Sequence, residues 1–236
     1  MGGRRSGSGG PKGSAPSLIA SVLGASNAWD AEHLTVSTTT DAWVATAGGV
    51  NLAVQTAAQP APAAVAALRG RRAVTWSGAG AYAAAITAPG DNQTFMFVGY
   101  AGGANFGMMA LTAAGALNTG SSLFFDGTAG GTVFGRRLAV DATVLRAAPM
   151  AFVLVCTKTT AGESLYVNSR TPVASAVGTA SFSQAQFILG ALTSTNVYAF
   201  AGNTVAAAAI YNRVLSAAEI NYALTQAGAY YGVSIA

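Results

Sequence analysis

Gly202-Asn-Thr-Val-Ala-Ala-Ala-Ala-Ile-Tyr-Asn-Arg-Val-Leu-Ser216-Ala-Ala-Glu219-Ile-Asn-Tyr-Ala-Leu224, running on to Tyr230-Tyr231-Gly232, decides the fold. Ser216 and Glu219 stand in the S-x-x-E spacing, in which the serine hydroxyl accepts from an early helix N–H and the glutamate reaches back to the serine N–H. The spacing predicts a helix starting at Ala217. Ile220, Leu224, Ala227 and Tyr231 then recur every three or four residues as one apolar stripe, with Asn221, Thr225 and Gln226 off it. Gly228 weakens the last turns by propensity, and Gly232 is a stop. Ahead of the cap, Thr204 to Tyr211 is too short for a second helix and ends in β-formers. It reads as a buried strand, although its alanines alone would allow helix.

The remaining 200 or so residues fit around that ending as one domain. At 236 residues and 52% hydrophobic content the chain can bury a large core. Only 8% of residues are charged, about a third of the usual share. A surface so poor in charge suits a subunit packed among others. The formal charge is +4, of which Arg4, Arg5 and Lys12 supply three inside an acid-free stretch, leaving +1 on the rest. The basic balance belongs to that stretch and does not imply a nucleic-acid-binding domain. The clusters Arg69-Gly-Arg71-Arg72 and Arg136-Arg137 read as solvated turns or loops.

Residues 1–16 hold six glycines, three serines and two prolines, so they cannot offset ordering entropy by burial and read as a flexible basic arm. Residues 17–236 form the folded domain. The Met1-Gly2 to Ser6 spacing fits an acylation pattern, and Arg4-Arg5 ahead of Ser17 to Leu23 has the outline of an export signal. The apolar part is short and broken by serine, so cleavage is not expected. No apolar run approaches bilayer-spanning length.

Beyond Leu18, short β-type runs alternate with turns. They include Arg72 to Trp76, Thr94 to Val98, Gly107 to Leu111, Ser122 to Phe125, Thr132 to Phe134, Ala151 to Cys156, Ser164 to Val167, Ala185 to Leu189 and Val197 to Phe200. Many strands with one C-terminal helix predict an all-β, two-sheet antiparallel sandwich. Cys156, the only cysteine, reads as a buried thiol. His33, the only histidine, cannot build a multi-histidine metal site. Gly78-x-Gly80-x-x-Ala83 is a turn rather than a dinucleotide fingerprint, for no suitable helix or acid follows it.

Taken in order, these pieces resemble the concanavalin A-like lectin/glucanase superfamily, in its laminin-G-like jelly-roll branch. Trp29-Asp30-Ala31 with Asp41-Ala-Trp43 is similar to the family's opening. Gly70 to Gly78 is similar to its "GrpAV-x-FdG" segment and Ser164 to Asn168 to its "l-Y-v-N-G" hairpin. Ile188-Leu-Gly190 and Ile210 to Ile220 are similar to its "iG…iYnraLs-x-aEi" ending. Ser77 replaces a common acid and Ser169 a common glycine, which counts against a family-type calcium site.

The resemblance implies either glycoside hydrolysis or binding. Hydrolysis needs two carboxylates about 5 Å apart. Of the eight acids only Asp30 and Glu32 have alternate spacing, and Glu219 is already used as a cap. No Gly-x-Ser-x-Gly elbow presents a serine. The expectation is therefore a non-enzymatic protein without metal or cofactor. Tyr100, Asn105 and Phe106, in a glycine-rich loop, are the candidate carbohydrate contacts. A lone jelly roll with a basic arm resembles structural domains of phage or phage-like particles. That makes the expected role capsid decoration, spike or fibre on the particle surface, in a homo-oligomer or larger assembly. Arg4, Arg5 and Lys12 would dock the arm on neighbouring subunits, and the domain could touch surface glycans. The alternative is a free carbohydrate-binding module of a bacterial protein.

Overall fold

A computed structural model describes residues 15–34, 39–55, 57–78, 80–87, 90–102, 106–112, 121–126, 132–137, 143–146, 149–175, 186–190 and 202–236. One sheet runs, neighbour to neighbour, through Val173–Ser175, Glu163–Val167, Met150–Lys158, Gln93–Ala101, Thr204–Tyr211, Asn27–Asp30 and Ala45–Ala47. The hairpin of Ala63–Val65 and Arg71–Thr75 joins it through Thr204 and Val205. The second sheet runs Thr143–Arg146, Thr132–Arg137, Ser121–Asp126, Phe106–Thr112, Gln186–Leu189, Tyr82–Ala85, Leu52–Val54 and Ala42–Trp43. Pairing is antiparallel throughout. Helices α1 (Ala15–Leu23) and α2 (Ala217–Tyr231) pack on each other, α1 also against Asn27–Asp30 and α2 against Met150–Lys158.

The expected two-sheet sandwich with a C-terminal helix is thus the observed architecture, with a second short helix added near the start. Side chains alternate along Gln93–Ala101. Phe95 and Phe97 enter the core between the sheets with Phe152, Leu154, Phe187 and Leu189, while Met96 and Val98 join α1 and α2 on the other face. Thr204–Tyr211 is buried along its whole length because it lies between these two layers. Its alanines leave room for closely packed neighbours, and the ladders on both sides override their helical preference. The register shifts between Val98 and Gly99, leaving Ala206 as the extra residue opposite.

The ending forms as its sequence dictates. Ser216 and Glu219 make a reciprocal capping box, and Gly232 closes α2 in the left-handed region at φ 71°. All four stripe residues, Ile220, Leu224, Ala227 and Tyr231, are buried. Cys156 is buried between the sheets. The resemblance segments supply aromatic packing. Trp29 stacks on Phe187 at 4.6 Å, and Trp43 and Trp76 each meet Tyr82 edge-on.

Candidate functional site

The strand Asn27–Asp30 ends at a buried acid. The Asp30 carboxylate accepts the Glu32 N–H at 2.9 Å and so caps a single 3-10 turn, Ala31–His33. This turn carries Glu32 and His33 away from the strand direction. Asp30 and Glu32 therefore do not project side by side from one strand, which removes the geometric basis for reading them as a hydrolytic pair. Glu32 instead faces the hairpin, accepting the Arg72 N–H at 3.0 Å, and its charge acts on the Tyr230 phenol.

The hairpin turns at Arg69 and Gly70, both with positive φ, and sends two arginines toward the C-terminal end of α2. Arg69 Nη1 donates to the Ala229 carbonyl at 2.9 Å, and Arg71 Nε to the Tyr230 carbonyl at 3.4 Å. The last turn of α2 has no basic residue of its own. These guanidinium groups satisfy its orphan carbonyls and complement the negative end of its dipole. The arginines expected as a solvated cluster thus link two distant parts of the chain. Arg71 also lies over Tyr230, its guanidinium carbon 3.9 Å from the ring centroid.

Asp30, Glu32, His33, Arg71, Tyr230 and Tyr231 form one electrostatic group. The Tyr231 ring is fully buried, its hydroxyl has no hydrogen-bond partner, and burial above all, with the Asp30 carboxylate next, pushes its pKa well up. Burial and then Glu32 raise that of Tyr230. Both phenols are therefore neutral donors near pH 7. His33 is 38% exposed, with Nδ1 3.7 Å from the Asp30 carboxylate, which is 1% exposed. A phenol–guanidinium stack beside a carboxylate and an imidazole is a set of groups suited to a polyol, offering an apolar face with donors and acceptors at its rim. Among the described residues no group of three or more His, Cys, Asp or Glu could hold a metal ion.

The sequence candidates lie elsewhere. Arg4, Arg5, Lys12 and Asn105 fall outside the described residues, as does the Val197 to Phe200 run. Phe106 opens the strand Phe106–Thr112, its backbone opposite Phe125. Tyr100 is half-buried near the end of Gln93–Ala101, opposite Ala151 and Thr204. Its neighbour Ala101 belongs to the inter-sheet core, so Tyr100 points to the sheet's other face. A shallow groove at Thr157, Thr159, Gly162, Glu163 and Ser164 has no aromatic side chain in its lining. Sequence reasoning missed the Arg71–Tyr230 stack, which joins residues 159 apart. The only local signal for it was an arginine cluster in a chain with few charges.

No family model and no curated protein matches the sequence. Solved structures do match. A Trypanosoma rangeli sialidase in complex with sialic acid is 14% identical at a TM-score of 0.57, over 85% of this chain and 32% of its own. A mutant of the same sialidase displaying trans-sialidase activity is 16% identical at 0.58, over 85% and 32%. A mutant GH54 α-L-arabinofuranosidase soaked with 4-nitrophenyl α-L-arabinofuranoside is 12% identical at 0.60, over 80% and 50%. The likeness is one of fold. This chain spans about a third of the length of the sialidases and half that of the arabinofuranosidase.

These findings correct the expected function. The chain's neighbours are carbohydrate-acting enzymes, so the expectations of a particle subunit and of a non-enzymatic protein are both overturned. The physical error lay in reading a charge-poor, alanine-rich composition as a surface made to be packed against other subunits. Much of that alanine is internal, as in Thr204–Tyr211, where every residue is buried.

Proposed function

We propose that this chain is a carbohydrate-recognition sandwich of a glycan-processing protein, holding its sugar at the cluster of Glu32, His33, Arg71 and Tyr230. The observation that carries the reading is the stack of Arg71 on Tyr230, beside the Glu32 carboxylate that accepts the Arg72 N–H. An aromatic face beside fixed donors and acceptors matches alternating C–H faces and hydroxyls on a sugar ring. Support comes from the structural neighbours, a sialidase in complex with sialic acid and an arabinofuranosidase soaked with an arabinofuranoside. A glycan array probed with the intact chain is expected to return a restricted set of oligosaccharides. Tyr230→Ala and Glu32→Gln should each weaken the best binder at least tenfold while the fold, followed by circular dichroism, persists. Retention of no glycan, or binding indifferent to both substitutions, would sink this reading.

A further inference from the structure

We infer that the sugar taken by this cluster bears a carboxylate, received by Arg71; the inference rests on the glycan-binding reading above. Three arginines, Arg69, Arg71 and Arg72, surround the Gly70 turn, and among the described residues none of their guanidinium groups bonds an Asp or Glu side chain. Their guanidinium groups donate to backbone carbonyls, those of Ala229, Tyr230 and Pro62 respectively. Arg213, by contrast, is bridged to Glu219 at 2.6 Å. In Arg71 the Nε donor is used on the Tyr230 carbonyl and the guanidinium carbon sits 3.9 Å from the centre of the Tyr230 ring. A guanidinium has five N–H donors in a rigid fork, so the Nη groups of Arg71 remain oriented without an acidic partner. That fork is matched by a carboxylate in bidentate contact, a match that lysine cannot reproduce.

A second feature points the same way. The Tyr231 hydroxyl, one residue along α2 from Tyr230, is a buried donor with no hydrogen-bond partner within the fold. Unpaired buried polar groups are rare in native proteins and mark places where a water or ligand completes the network. The surrounding charge sets the class of anion. Asp30 and Glu32 offset two of the three arginines, so the patch is only weakly positive. Binding to a polyphosphate backbone grows with the number of phosphates neutralised, and this patch offers little net charge for that. One carboxylate on an otherwise neutral sugar fits it.

Calorimetric titration of the intact chain tests this with a sialic acid- or glucuronate-terminated oligosaccharide against its methyl ester. The acid is expected to bind at least tenfold more tightly than the ester. Arg71→Gln should abolish that preference, and Arg71→Lys, which keeps the charge but not the fork, should restore little of it. A sulfated sugar should compete weakly, and duplex DNA should not compete. Equal binding of acid and ester overturns the inference while leaving the glycan reading intact, and that comparison needs no variant to fold. Preferential capture of the sulfated sugar or of DNA overturns it as well. Binding of no sugar at all overturns both.

Discussion

Glu219 is held by Arg213, by the Ser216 N–H and by the Ser216 hydroxyl, and these contacts lower its pKa from 4.5 to about 2. A carboxyl depressed in the folded state adds stability above its unfolded value and loses it as pH falls through the folded one. The contribution of Glu219 is therefore complete above about pH 4.5 and fades toward pH 2. Urea unfolding should show Glu219→Gln less stable than the parent at pH 7, with the gap closing by pH 2. Ser216→Ala should cost about 1 kcal/mol at pH 7. Gly228 gives a prediction of opposite sign from propensity. Replacing a helical glycine by alanine usually gains about 1 kcal/mol. Here a Cβ would meet Val233 O and Ile235 Cγ1, both at 2.7 Å, because the chain folds back over this turn. Gly228→Ala should lower the Tm; a raised Tm would show that the folded-back segment yields easily.

At the scale of elements, α2 depends on small residues where it meets the sheet and on borrowed cations at its end. Ala223 is fully buried, whereas Ala218 is exposed. Ala223→Leu should cost about 1–3 kcal/mol by overpacking, and Ala218→Leu should stay within about 0.5 kcal/mol of the parent. Equal effects in denaturant melts would contradict this packing. The cap and stripe of α2 were legible in the sequence because capping and helical periodicity act over a few residues. Thr204–Tyr211 was legible from its length and its ending in Ile210 and Tyr211. The tie from Arg71 to Tyr230 was not, since only tertiary folding brings the two together. Helix α1 was missed for a related reason. Its nine residues include Pro16 and two serines, and it is held mainly by contact with α2 and the sheet. For Gly228, propensity was the wrong guide because the deciding atoms belong to a later segment.

The whole molecule has three layers, with a helix pair on one sheet and that sheet on another. Cys156, the sole cysteine, lies in the innermost of the two packing zones. A thiol reagent should therefore modify it only as fast as the sandwich opens, so labelling rates should follow urea concentration together with unfolding. Rapid labelling of the native protein would mean that the sheets part locally. The aromatic core makes a further measurement possible. All three tryptophans are at most 1% exposed, Trp29 against Phe187 and both Trp43 and Trp76 edge-on to Tyr82. Light emitted by the native chain should then come entirely from indoles shielded from water, at the blue end of their range. Its colour becomes a built-in gauge of whether the two sheets remain closed on each other.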